Sequence, residues 1–330
     1  MKKIFWITVF IGWFSRLVFC METDTNAVED SPKIKPTGFA SVRFTVDTTA
    51  GNKDGFTIAQ ARFGAKGDIT KDVAFSFSLE GTNTDTNNNK TLYDIYLDVK
   101  SVPYFTLRLG QFKYKFSLEN VISDADLELI NKSDVISNLV SPTRDIGIEL
   151  SREFSFSSVK GNIFAGIMNG SGSNQSDEND NKMAVARLVF SPVKGLNLGS
   201  SYYDSAISTN TFNKDRIGLE MKYEVETLLC KAEYILGQDD SISEGKKTTT
   251  KKEGYYITIG YTMFSSCVLL ARYDVWDSSL KTIGKKNSRW TFGINYFLDK
   301  NVLLRNNYEQ KTESPSVKND LIMTQLQVKF

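Results

Sequence analysis

Between Gly38 and the C-terminal Phe330 the chain reads as a succession of short period-two runs whose connections alternate in length. The runs fall at about 38–47, 55–69, 73–82, 91–102, 104–113, 144–154, 159–170, 182–191, 196–207, 214–226, 227–239, 253–263, 267–277, 287–299, 302–312 and 319–330, sixteen in all. Tight connections occupy 69–72, 101–104, 155–158, 192–195, 264–266 and 299–301, with near-contact at Glu226–Thr227. Long polar ones occupy 48–55, 83–90, 114–143, 171–181, 241–252, 278–286 and 313–318. A soluble sandwich has no reason to sort its loops by parity. A barrel crossing a membrane does, with turns on one rim and loops on the other, and runs near ten residues suit tilted strands. The expected fold is therefore all-β: a transmembrane antiparallel β-barrel of about sixteen strands, with segment 114–143 folding inward between strands 5 and 6.

Alternation sharpens this reading without closing it. Ile322, Thr324, Leu326, Val328 and Phe330 share one face, opposite Met323, Gln325, Gln327 and Lys329. Trp290, Phe292, Ile294, Tyr296 and Leu298 stand likewise opposite Arg289, Thr291 and Asn295. A sandwich would bury the greasy faces and a barrel in lipid would show them, so a soluble or surface β-protein, carbohydrate-binding or adhesive and without channel activity, stays as the alternative.

The N-terminus supports export. Met1-Lys2-Lys3 precedes the apolar stretch Ile4 to Ser15, the length of a signal-peptide core and too short for a membrane span, with Val18 and Cys20 as small residues for cleavage. Residues 1–20 are expected to be the signal, 21–37 a periplasmic linker and 38–330 the barrel, placed in a bacterial outer membrane.

Composition removes other classes. With no histidine, neither a Ser-His-Asp triad nor a His-ligated metal can form, so no catalytic residue, metal site or cofactor is expected. Lys+Arg 40 against Asp+Glu 39 gives nucleic acid no electrostatic handle. Cys20, Cys230 and Cys267 are too scattered for a disulfide framework.

Several segments carry a family likeness: RLGQFKYKFSLE (108–119), RDIGIEL (144–150), EGYYITIGY (253–261), LLARYD (269–274) and GINYFLDKNVLLRNNYE (293–309). Together they resemble the phosphate-selective porin O and P family, with Lys115 standing where that family commonly has proline. The resemblance implies a sixteen-stranded porin, usually a homotrimer, in outer-membrane lipid, passing small hydrophilic solutes by passive diffusion. It does not by itself imply phosphate as the solute.

Strand parity places Arg43, Arg62, Arg108, Arg187, Arg272 and Arg305 on lumen-facing positions, and Lys329 with them. A guanidinium suits oxyanions because its rigid fork of donors stays charged. Asp94, Asp98, Glu149, Glu220, Glu224, Glu233 and Asp274 share that parity, so anion preference and unselective diffusion both stay open. Lys113, Lys115 and Arg144 flank segment 114–143 and are the candidates for a constriction. Alternation breaks at Gly110–Lys113, which leaves the direction of Lys113 undetermined.

Overall fold

The computed structural model describes residues 32–82, 92–177, 181–207, 212–243 and 246–330; the expected export signal and most of the linker lie outside them. Sixteen antiparallel strands close on themselves. They are β1 (Lys33–Asp47), β2 (Gly55–Asp68), β3 (Val73–Glu80), β4 (Leu92–Val99), β5 (Thr106–Lys113), β6 (Arg144–Phe156), β7 (Val159–Met168), β8 (Met183–Val193), β9 (Leu196–Ile207), β10 (Phe212–Val225), β11 (Leu228–Ser243), β12 (Lys246–Phe264), β13 (Cys267–Asp277), β14 (Lys286–Asp299), β15 (Val302–Thr312) and β16 (Leu321–Lys329). Each strand pairs with its chain neighbours, and β1 pairs with β16 to leave no edge. At the seam Gly38 and Phe330 exchange two backbone hydrogen bonds of 3.0 Å.

Exposure decides between the two β readings. On β14 the outward Trp290, Phe292, Ile294, Tyr296 and Leu298 are exposed while Thr291 and Asn295 are buried, and Gln325 and Gln327 on β16 are buried opposite exposed Leu326 and Val328. The greasy surface faces out and the polar one in, the arrangement of a barrel in lipid.

Two boundaries differ from expectation. The first strand begins at Lys33, with Pro36 opposite Ala65 of β2. Pairing of β1 with β16 starts only at Phe39, so Pro36 lies on a free edge where its missing N–H costs nothing. The second concerns the loop expected at 241–252, where β11 and β12 instead run on as a two-stranded ribbon pairing through Ser243 and Lys246. A ribbon wet on both faces shows no apolar alternation, so periodicity could not reveal it.

Segment 114–143 holds two short helices, α1 (Leu118–Val121) and α2 (Asp134–Leu139), with a 3-10 turn at Asp124–Asp126 between them. Ser117 Oγ caps α1 by accepting from the Asn120 N–H at 3.2 Å. Tyr114, Phe116, Val135, Ile136, Leu139 and Val140 form an apolar core with Met168 of β7, Met183 and Val185 of β8, Tyr203 of β9, Ile235 of β11, Tyr256 of β12 and Trp276 of β13. These partners lie on lumen positions, so one half of the barrel interior is packed like a soluble domain. Wall glycines make the sockets: a Cβ on Gly254 would lie 2.6 Å from Val135 Cγ2, one on Gly293 2.6 Å from Leu129 Cδ2, and one on Gly237 2.9 Å from Leu139 Cδ2.

Polar anchors complete the docking. Arg272 donates to Glu119 Oε1 at 3.1 Å and the Asn131 carbonyl at 3.0 Å, and Arg289 donates to the Lys132 carbonyl at 2.7 Å. Arg305 and Gln327 both donate to the Ala125 carbonyl at 2.9 Å, Asn295 donates to the Glu128 carbonyl at 2.7 Å, and Lys231 pairs with Glu128. Each bond satisfies a backbone carbonyl or a carboxylate that irregular structure would otherwise leave orphaned. Around Arg272 and Arg289 gather four carboxylates, Glu119, Asp274, Glu309 and Asp134. On α2, burial pushes the Asp134 carboxyl up to about 6, with Asp274 and Glu309 adding to the rise and Arg289 and Arg272 opposing it.

Two outcomes follow from this docking. Gly293→Ala should weaken seating of the segment by about 1–3 kcal/mol, seen as cleavage of 114–143 by protease added to the folded protein. Combining it with Leu129→Ala should cost less than the two changes summed. Because the folded Asp134 carboxyl titrates above its unfolded value, the stability it contributes is complete below about pH 4 and is lost as pH rises through about 6. Protection of the segment should therefore fall between about pH 4 and 6 by a component that Asp134→Asn abolishes; an unchanged profile in that variant would assign the fall elsewhere.

Candidate functional site

The packed half of the lumen leaves the wall of β2 to β6 facing open space. Here aromatic rings and carboxylates hold the cations in place. Arg62 of β2 donates to Glu80 Oε2 and to Asp124 Oδ2, at 3.0 and 3.1 Å. The Arg62 and Arg144 guanidiniums each lie 3.5 Å from the Tyr93 ring centre, which two such groups reach only from opposite faces. Arg144 pairs with Asp94 at 2.9 Å. Arg108 forks onto both Asp98 oxygens at 2.7 and 2.8 Å and lies 4.0 Å from the Tyr96 ring centre. A guanidinium held by its edge and its face is fixed in direction, as a point-charge ammonium would not be.

Gly110 turns the end of β5 toward this wall. Its φ of +131° is a conformation L side chains rarely adopt, and a Cβ there would sit 2.2 Å from the Ile95 carbonyl oxygen. The strand's alternation breaks at this residue, and Lys113 enters the lumen, donating to the Ile122 carbonyl at 2.8 Å and lying 3.5 Å from Asp124.

A cavity of about 410 Å³ opens on this wall toward the short-turn rim. Seven cations line it, Arg62, Lys66, Arg108, Lys113, Lys115, Arg144 and Lys329, against the carboxylates Asp94 and Asp126. Glu80, Asp98 and Glu149, which hold or neighbour these cations, stand outside its lining. A second cavity of about 370 Å³ lies toward the long-loop rim and carries Arg43, Lys132 and Arg289 with Asp124. A third, of about 280 Å³, lies across the segment and carries Asp126, Glu128, Glu224 and Glu226 with Arg305. Cations thus predominate on the linings of the first two cavities and carboxylates on that of the third.

The arginines read from parity divide accordingly. Arg43, which donates to Gln325 at 2.9 Å, and Arg62 and Arg108 line the two basic cavities. Arg187 pairs with Glu220 and lines none of the three; Arg272 and Arg305, each 1% exposed, lie beneath segment 114–143. Lys113, Lys115 and Arg144 come together on the first of these cavities. Sequence reasoning missed Tyr93, Lys66, Arg289, Lys132 and Asp124. Arg289 and Lys66 share the lumen parity and were legible; Asp124 and Lys132 sit in a segment without periodicity, and nothing local marks them.

The fold matches solved porins at low sequence identity. The chain is 12% identical to the anion-selective porin from Comamonas acidovorans, covering 91% of this chain and 100% of that one with a TM-score of 0.68. It is 12% identical to the outer membrane channel DcaP of Acinetobacter baumannii, with coverages of 92% and 99% and a TM-score of 0.66. The trimer form of OmpT of Vibrio cholerae matches at 11% identity, coverages of 91% and 100%, and a TM-score of 0.66. No curated protein sequence matches the chain. A family model described as phosphate-selective porin O and P matches residues 37–205, from β1 through most of β9 and so across the whole cation-lined wall. Barrel and family together make the protein a porin channel of the bacterial outer membrane. The chain belongs to the phosphate-selective porin O and P family.

Proposed function

We propose that the channel passes small hydrophilic anions, phosphate among them, by passive diffusion along the β2 to β6 wall, with segment 114–143 as the opposite side of the constriction. The observation that carries this reading is the convergence of Arg62, Lys66, Arg108, Lys113, Lys115, Arg144 and Lys329 on one cavity, where a small oxyanion arriving at the wall would meet several donors at short range. Ring stacking and carboxylates fix the guanidiniums of Arg62, Arg108 and Arg144 on this lining. Among the described residues Lys66 has no carboxylate within ion-pair distance, so its charge is the least compensated on the wall, whereas Lys115 has Glu149 nearby and lies 5.8 Å from the Phe164 ring centre.

Assembly as a homotrimer is part of the reading. On the outward face Thr324 Oγ1 donates to Asn306 Oδ1 at 2.8 Å, a polar pair within the apolar band that lipid would leave half satisfied. A neighbouring copy supplies the missing acceptors for the Asn306 amide, and chemical cross-linking in native membranes reads out the state.

In a planar bilayer under a KCl gradient the reversal potential should be anion-directed, and added phosphate should reduce chloride current. Lys66→Glu combined with Lys115→Glu should lower the chloride-to-potassium permeability ratio several-fold while Lys222→Glu, outside the cavity, leaves it in place. A cation-directed or null reversal in the unmodified protein would make it a general diffusion pore.

A further inference from the structure

The contact that joins segment 114–143 to the cationic wall is one carboxylate. Asp124 Oδ2 accepts from Arg62 Nη2 at 3.1 Å and from the Tyr93 hydroxyl at 2.6 Å, and Asp124 Oδ1 lies 3.3 Å from Lys132 Nζ and 3.5 Å from Lys113 Nζ. Four donors from β2, β4, β5 and the segment itself therefore converge on two oxygens. Around them stand Glu80, which shares Arg62, and the Arg144–Asp94 pair behind Tyr93. Arg62, Lys113 and Lys132 thus face the two carboxylates Asp124 and Glu80.

The position also lies on the path. Asp124 and Lys132 line the cavity toward the long-loop rim, while Arg62, Lys113, Ser123 and Ala125 line the cavity toward the short-turn rim, so the two meet at this residue. Guanidinium, two ammoniums and a phenol are the donor set that would hold a tetrahedral or planar oxyanion. Burial works against charge on Asp124, but Lys113, Lys132, Arg62 and the Tyr93 hydroxyl outweigh it and hold the carboxyl well below the usual carboxylate range.

We propose that these donors form an oxyanion-binding cage in which Asp124 is a resident stand-in for the solute, so that a permeating oxyanion advances by displacing the chain's own carboxylate. The displacement is an exchange of one anion for another among the same donors. It therefore costs far less desolvation than filling an empty site, and return of Asp124 expels the solute. Tight capture would halt conduction, and a tethered competitor prevents it. This proposal rests on the anion-conducting reading for its role in transport; the cage itself does not.

The test uses the purified full-length protein in detergent with inorganic phosphate as the probe. Asp124→Ala should bind phosphate saturably by titration calorimetry, with Lys132→Gln in that background weakening binding several-fold. In planar bilayers phosphate should block Asp124→Ala at a concentration at least tenfold lower than it needs for the unmodified channel. Asp124→Asn, which keeps the shape of the side chain, serves where the alanine variant fails to show a heat-modifiable barrel, and should behave in the same direction. A folded Asp124 variant that binds no phosphate, or binds it equally with and without Lys132, overturns the cage and leaves anion conduction standing. A cation-directed reversal in the unmodified channel overturns the conduction reading, and with it the transport role of Asp124, while calorimetry still decides whether the cage exists.

Discussion

Closure of the sheet is the constraint from which the rest of the molecule follows. In hydrocarbon an unpaired strand edge leaves a row of N–H and C=O groups with no partner, each costing several kcal/mol, about as much as one strong buried interaction contributes. Pairing of β1 with β16, finished by the Gly38–Phe330 exchange, removes that edge. Once closed, the period-two alternation has only one low-energy sense, with Ile294 and Leu326 outward and Asn295 and Gln325 inward. Polar and charged side chains are thereby driven into a confined interior, and the chain must find partners for them there.

Partners are found in two ways, which divide the lumen. On the side of β7 to β13 the wall offers Met168, Met183, Val185, Ile235 and Trp276 among its charges, and segment 114–143 brings Phe116, Ile136 and Leu139 to meet them, while Arg272 and Lys231 are taken up by Glu119 and Glu128. Such a core would be pointless in a water-filled pore; it makes sense only as a foundation holding irregular backbone at a fixed height. On the side of β2 to β6 the wall offers arginines and their carboxylates, and the segment meets them with Asp124. The same thirty residues are therefore soluble-protein core on one face and ion partner on the other.

Sequence reached the architecture further than the site, for a physical reason. Strand count, the sorting of turns and loops, and the facing of Arg62, Arg108 or Trp290 follow from a two-residue period that the pleat enforces along every strand. That period says which way Arg272 points but not what lies in front of it, and the structure puts Glu119 and the Asn131 carbonyl there. The ribbon of β11 and β12 beyond the membrane escaped because no buried face imposes a pattern on it. Asp124 escaped because its partners, at positions 62, 93, 113 and 132, are gathered by the curvature of the barrel and not by any spacing in the chain.

Counting charges on such a wall is a poor guide to what it passes. Arg62, Arg108 and Arg144 each have a carboxylate within 3.2 Å, so at long range they are dipoles and attract ions little more than a neutral surface would. What the pairing and the ring stacking contribute is direction: each guanidinium is held in one orientation on the cavity lining, where an acceptor that arrives at the wall meets it at short range. Long-range attraction is left to charges without close partners, such as Lys66. A channel built this way separates admission from recognition. On the anion-conducting reading, an ammonium without an ion-pair partner raises the local concentration of anions, while the clamped guanidiniums sort them by the geometry of their oxygens.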